Sequence, residues 1–363
     1  MKTVRVNLGA RSYDIRIGRS GPAEPLHVFP KTAKVLIVTD TNVDALYGEA
    51  CEQAWRAAGA AAARAVLPAG ETAKTLANLE VLYERAAEHG LDRASLVVAL
   101  GGGVVGDVAG FMAATYMRGI GFWQIPTTLL AMVDSSVGGK TGVNLKQGKN
   151  LVGAFHQPLG VVADVSALTT LPERDYVSGL AEVAKYGVIR DADLLETLAA
   201  GADRLKARDP VFLEDAIARC CEIKADVVAN DERESGLREL LNFGHTMGHA
   251  LEQADGYTRW RHGEAVAMGM VYAARLSAAE TGLPEKDVRR LEELLALLGL
   301  PTAPGPEVHG VDWETLRVAM GSDKKSRGQK PRFVLAERLG QARVGCDVSE
   351  SVMRRVYGEW MGS

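Results

Sequence analysis

Thiols are scarce in this sequence. Its 363 residues include four cysteines, Cys51, Cys220, Cys221 and Cys346, with no C-x-x-C pair among them. That pattern excludes a thiolate metal cage and predicts reduced thiols in a cytosolic protein. Long apolar runs are missing as well. The most apolar region, residues 96–133, is interrupted by Asp107, Arg118 and Pro126, which suits a buried α/β core and not a transmembrane span. Near the start, Lys2, Arg5, Arg11, Asp14 and Arg16 break each apolar run, so no secretory signal is expected. Nor is there a large charge excess. A net charge of -4 argues against a general nucleic-acid or membrane-surface binder, and neither partner is expected. Internal repeats, low-complexity tracts and long linkers are absent.

What remains is the composition of a soluble globular chain, 47% hydrophobic and 24% charged, long enough for two domains. Residues 3–8 and 13–17 alternate apolar and polar around Gly9-Ala10 and predict a hairpin. Val35-Leu36-Ile37-Val38 reads as a buried strand ending at Thr39-Asp40, with a helical stretch following it to about Ala58. Residues 76–89 are helical. Leu96-Val97-Val98-Ala99-Leu100 is a second buried strand, and residues 122–125 form a third that Pro126 stops. Such alternation implies a mostly parallel, Rossmann-like sheet with ligands at the strand ends. From about residue 172 strand signals fade, and segments near 173–200, 211–230, 242–254, 263–281 and 285–298 carry helical spacing. The expected fold is therefore an α/β N-terminal domain, residues 1–168, and an all-α C-terminal domain, residues 169–363. The cleft between them is the expected active site.

Gly101-Gly102-Gly103-Val104-Val105-Gly106 satisfies G-x-G-x-x-G between a strand and a helix. Such glycines let the backbone approach a pyrophosphate, whose charge the helix N-terminus stabilises. A plain tight turn would look the same. The motif is not on the first strand, and no acid follows about 20 residues later; Asp40, ending an earlier strand, is the substitute for that ribose partner. Gly139-Lys140-Thr141 resembles the end of a P-loop, but Asp134 stands where the earlier glycine belongs. A nucleoside triphosphatase is excluded.

A polar constellation follows. Asp134 through Asn144, together with Lys146, Lys149 and Asn150, mixes glycines and lysines suited to a small, multiply charged anion; a solvated basic loop is the plainer reading. Lys224 sits on the apolar stripe of its helix with Ile217, Cys221 and Val228. Either it snorkels to solvent, or it is buried against an anion, since a lone buried ammonium is costly. His245 and His249 lie one helical turn apart, and His262 opens the next helix as His-Gly-Glu. This clustering suggests metal or acid–base chemistry, against surface histidines as the alternative. Glu182 and Lys185, at i and i+3, read by spacing as an ordinary ion pair.

Taken together, these blocks resemble the 3-dehydroquinate synthases. The resemblance is carried by Gly102-Gly103-Val104-Val105-Gly106-Asp107, Met117-Arg118-Gly119, Pro126-Thr127-Thr128 and Asp134 to Asn144. It continues through Gly179-Leu180-Ala181-Glu182-Val183, Asp231-Glu232-Arg233-Glu234, Leu241-Asn242-Phe243-Gly244-His245-Thr246 and His262-Gly263-Glu264-Ala265-Val266, with a weaker Asp323-Lys324-Lys325 block. Departures are few: Ala69 replaces a common aspartate, Met247 a frequent phenylalanine and Ala184 an isoleucine.

The resemblance implies a catalytic zinc or cobalt held by Glu182, His245 and His262, with His249 in a proton relay and not a ligand. It implies NAD along Asp40, Asn42, Gly70, Glu71, Lys74, Gly103, Val104, Val105, Gly106, Asp107, Thr127, Thr128, Lys140, Lys149, Ala167, Leu168, Thr169 and Thr170. Substrate would meet Asp134, Lys140, Asn150, Lys185, Lys224, Glu234, Arg238, Asn242, His249 and one of Lys324 or Lys325. Arg118 would come from a neighbouring subunit, so a homodimer is expected. The implied reaction converts 3-deoxy-D-arabino-heptulosonate 7-phosphate to 3-dehydroquinate and phosphate in the shikimate pathway. It runs through transient oxidation, phosphate elimination, re-reduction and an internal aldol. Rival readings are a sister sugar-phosphate cyclase, a metal-dependent alcohol dehydrogenase and a non-catalytic nucleotide-binding module.

Overall fold

The computed structural model describes residues 1–19, 34–305, 312–321 and 331–362. The chain forms two compact units, one of Met1–Leu171 with Leu213–Ala229, the other of Pro172–Phe212 with Asn230–Ser363. Most of the helix Pro210–Asn230, which carries Lys224, therefore belongs to the first unit although it lies far beyond residue 168 in sequence.

The first unit is built on a seven-stranded sheet in the order β1-β2-β9-β6-β5-β3-β4. Its strands are β1 (Lys2–Val6), β2 (Tyr13–Gly18), β3 (Lys34–Asp40), β4 (Ala61–Leu67), β5 (Leu96–Gly101), β6 (Gly121–Pro126) and β9 (Gly160–Asp164). All neighbours are parallel except the β1/β2 hairpin, which the alternation of residues 3–17 predicts. The apolar run of β3 is continuous because both faces of the sheet are covered. Val35 and Ile37 pack with Cys51 and Trp55 on one side. Leu36 and Val38 pack with Leu79, Leu82 and Val105 on the other, as the two-residue period of a strand requires. A separate hairpin, β7 (Lys140–Leu145) with β8 (Gly148–Phe155), stands where the sequence reads as a glycine- and lysine-rich loop.

Among the described residues the second unit is helical apart from one antiparallel hairpin, β10 (Arg332–Arg338) with β11 (Gln341–Asp347), an addition to the all-α expectation. Three of its helices position the site: Glu173–Arg190, His245–Ala254 and His262–Glu280. Close approach is enforced by small residues. A Cβ at Gly263 would stand 1.8 Å from the carbonyl oxygen of Ser178, so only glycine lets the start of His262–Glu280 lie against the helix that carries Glu182.

Cys51, Cys220, Cys221 and Cys346 are buried thiols outside any disulfide. Burial pushes the Cys51 and Cys221 thiols up to about 12, which leaves them inert as nucleophiles. Among the described residues no helix is long and apolar enough to cross a membrane.

Candidate active site

In the first unit, β5 runs into Gly102 and the helix Gly103–Thr115, whose first turn carries no acidic residue. Its free N–H groups are thus available to an anion. The turn is tight on its outer side as well: a Cβ at Gly103 would lie 3.0 Å from Ser135 Oγ, and one at Gly102 would lie 3.1 Å from Thr128 Cγ2. Thr127 donates its N–H to Gly101 O at 3.0 Å, while its buried hydroxyl has no hydrogen-bond partner. Asp40 caps the turn after β3 by accepting from Asn42 N at 2.9 Å and Val43 N at 3.1 Å. Lys74, only 4% exposed, is paired with Asp107. Burial pushes the Asp107 carboxyl up, and Lys74 opposes that shift. Glu71 accepts from Asn144 Nδ2 at 2.7 Å, tying the Gly70 turn (φ 95°) to β7. Near the end of β9, Thr170 Oγ1 hydrogen-bonds Tyr47 Oη at 2.7 Å. Ala167 and Leu168 are buried there and Thr169 is exposed.

The anion-loop residues are less uniform. Lys224 is 4% exposed and donates to Asp134 Oδ1 at 2.6 Å, so the lysine on the apolar stripe has found an anion and does not snorkel. Lys140 is exposed at the start of β7, and Lys149 and Asn150 lie on β8, Asn150 at φ 54°. Arg118 is exposed within three successive positive-φ residues, Met117 (51°), Arg118 (67°) and Gly119 (119°). Tyr13, which the motifs do not mark, accepts from Gly138 N at 3.0 Å and braces this loop from β2.

The second unit gathers the acid and the histidines. Glu182 is 0% exposed, and Lys185 beside it is 1% exposed and donates to its Oε2. The other oxygen, Oε1, has no hydrogen-bond partner. It lies 3.6 Å from His245 Nε2 and 3.8 Å from His262 Nε2. The three donor atoms fall within 4.8 Å of one another. A cation about 2 Å from each donor would hold them at such spacings, and it would satisfy the buried carboxylate oxygen. The donor set therefore fits a divalent metal.

Both rings are turned for this. His245 Nδ1 faces Phe243 O at 3.2 Å, and His262 Nδ1 faces Glu252 Oε2 at 3.3 Å. Carbonyl and carboxylate only accept, so each Nδ1 carries the hydrogen and each Nε2 is left as a ligand. Glu252 is 7% exposed and was not among the sequence candidates. Its position, i+7 from His245 and i+3 from His249, is the signal that marks it. His249 lies with its ring centroid 5.3 Å from His245 and 6.0 Å from His262.

Nearby in sequence, Asn242 Nδ2 donates to Glu234 Oε1 and to Glu239 O, both at 3.1 Å. Arg238 is 2% exposed and donates to Glu232 O at 2.5 Å. Lys324 and Lys325 lie outside the described residues.

This architecture is that of the sugar-phosphate cyclases. The chain superposes with a TM-score of 0.88 on 2-epi-5-epi-valiolone synthase from Streptomyces hygroscopicus subsp. jinggangensis, with NAD+ and Zn2+ bound, at 29% identity over 96% of this chain and 97% of that one. A 2-deoxy-scyllo-inosose synthase complexed with carbaglucose-6-phosphate, NAD+ and Co2+ gives a TM-score of 0.88 at 28% identity, covering 99% and 100%. An iron-containing alcohol dehydrogenase from Thermotoga maritima shares the fold alone, with a TM-score of 0.66 at 17% identity over 97% and 98% of the chains.

Sequence narrows the class. The N-terminal and C-terminal 3-dehydroquinate synthase families match residues 64–178 and 179–326. The chain is 50% identical to the 3-dehydroquinate synthase of Symbiobacterium thermophilum, over 96% of this chain and 98% of that protein. It is 49% identical to that of Desulforamulus reducens, over 99% and 100%. The chain belongs to the 3-dehydroquinate synthase family.

Proposed function

We infer that the protein is a carbon–oxygen lyase that converts 3-deoxy-D-arabino-heptulosonate 7-phosphate to 3-dehydroquinate and phosphate. The observation that carries this is identity of about half to 3-dehydroquinate synthases along nearly the full chain, with a three-donor cluster of Glu182, His245 and His262 intact. The reaction belongs to the shikimate pathway, which leads to chorismate and the aromatic amino acids.

The cofactors are NAD and one divalent cation, zinc or cobalt, in line with those bound by the two cyclases of like structure. When bound, NAD would supply a hydride acceptor and the cation would supply polarisation of a substrate hydroxyl. Asp40, Asn42, Gly70, Glu71, Lys74, Gly103 to Asp107, Thr127, Thr128, Lys140, Lys149 and Ala167 to Thr170 form the NAD site. Glu182, His245 and His262 hold the metal.

The remaining residues handle charge and protons. Lys140, Asn150, Lys224, Arg238 and one of Lys324 or Lys325 orient the phosphate and carboxylate of the substrate, and Asp134 fixes the Lys224 ammonium. Lys185 neutralises the Glu182 oxygen turned away from the metal position. Glu234, Asn242 and His249 move hydroxyl protons. Fixed orientation and charge neutralisation supply most of the acceleration. The active form is a homodimer in the cytoplasm, with Arg118 offered to the neighbouring subunit. Its exposure on a strained turn supports that role.

Phosphate release from the seven-carbon acid phosphate, compared with a ketose phosphate lacking the carboxylate, tests the substrate assignment. Release from the acid alone is expected. Preference for the uncarboxylated sugar would instead make the protein a sister cyclase.

Glu252→Ala should weaken zinc binding by about 10–100-fold, because His262 loses the acceptor that fixes its tautomer. Zinc titration of the apoprotein by calorimetry checks this. Unchanged affinity would show that Glu252 does not orient the ring.

A further inference from the structure

Asp231 follows directly on the helix Pro210–Asn230, at the end where exposed carbonyls disfavour a carboxylate. It is nonetheless 7% exposed and saturated with donors. Its Oδ1 accepts from Ser235 N at 2.8 Å and Ser235 Oγ at 3.0 Å. Its Oδ2 accepts from Gly236 N at 2.8 Å and Arg238 N at 2.9 Å. The loop so gathered holds Glu234 at φ 59°, a left-handed conformation that a glutamate adopts only when its surroundings impose it. Glu234 in turn meets Asn242 Nδ2 at 3.1 Å.

We propose that Asp231 is a positioning residue, its carboxylate folding residues 231–238 into the one turn that sets Glu234 against Asn242. The proposal rests on reading Glu234 and Asn242 as part of the proton relay. Burial pushes the Asp231 carboxyl up, and the backbone N–H groups with the Ser235 hydroxyl outweigh it, holding it at about 2. It is therefore ionised through the whole working range, as a clamp must be and a proton carrier must not. Asparagine at this position keeps the shape but turns one acceptor oxygen into a donor. Whichever way the amide turns, at least one N–H of the loop then faces an NH2, and the turn opens.

The test compares wild type, Asp231→Asn, Glu234→Gln and the double variant for kcat, KM, pH profile and bound zinc. D231N is expected to lower kcat by about 10–100-fold and alter the pH profile as E234Q does, with zinc still stoichiometric. In the E234Q background D231N should cost no more than about twofold, because the group it positions is already gone. If D231N does not fold, Ser235→Ala removes one of the four bonds; about a threefold loss is expected in wild type and none in E234Q. Full activity of D231N, or of S235A where D231N is unfolded, overturns the proposal. So does a loss that multiplies undiminished onto an impaired E234Q. Full activity of E234Q by itself marks failure of the relay reading, and with it this role for Asp231.

Discussion

Glu182→Gln is expected to weaken zinc binding by more than about 100-fold, beyond the usual cost of losing an outer-shell partner, and to abolish phosphate release. The amide keeps the size of the carboxylate but not its charge. The oxygen 3.6 Å and 3.8 Å from the two Nε2 atoms becomes a weak neutral donor, and a buried cation loses its only anionic partner among those three atoms. A second consequence is visible without metal. Lys185 is 1% exposed and bonded to Glu182, so the variant removes the carboxylate charge bonded to that buried ammonium. Breaking such a pair costs about 3–5 kcal/mol. The metal-free variant should melt below metal-free wild type, and calorimetry reads both effects. Normal zinc uptake with normal stability would remove Glu182 from the ligand set.

Lys224→Ala is expected to separate metal binding from turnover. Lys224 donates to Asp134 Oδ1 at 2.6 Å and is not one of the three residues grouped as metal donors. Zinc affinity should therefore be unchanged. Turnover should fall by about 100–1000-fold, the usual loss when a preorganised donor is removed from developing charge. Part of the loss comes from Asp134, whose carboxylate would face the substrate anion without its ammonium. A double variant, Asp134→Asn with Lys224→Ala, should therefore be no worse than Lys224→Ala alone. Retained turnover in the single variant would assign Lys224 to stability only.

Much of this was legible in the residues, and the gaps have physical causes. Runs such as 35–38 and 96–100 could be read because a strand covered on both faces must be apolar throughout. β4, Ala61–Leu67, was not, since four of its seven residues are alanine and pairing with β3 overrides their helical preference. β7 and β8 escaped because their glycines and lysines share the composition of a loop. For the site, Lys224 could be suspected from its place on an apolar stripe. Glu182 could not be chosen by spacing, which offered only an i, i+3 ion pair with Lys185. That pair exists, and the second oxygen is distinguished only by histidines that arrive from distant parts of the chain. Asp231 was invisible for the same reason, because its role rests on hydrogen bonds made after folding, and for Glu252 only the i+3 and i+7 spacing from the histidines gave a signal.

The central claim is that an NAD-dependent oxidation is made and reversed within one turnover that expels phosphate. Its most direct test follows phosphate and NADH absorbance together, in zinc-loaded protein given NAD and 3-deoxy-D-arabino-heptulosonate 7-phosphate. Many equivalents of phosphate with no accumulating NADH are the predicted result. NADH rising in step with consumed substrate, without phosphate, would contradict the account and make the protein a dehydrogenase.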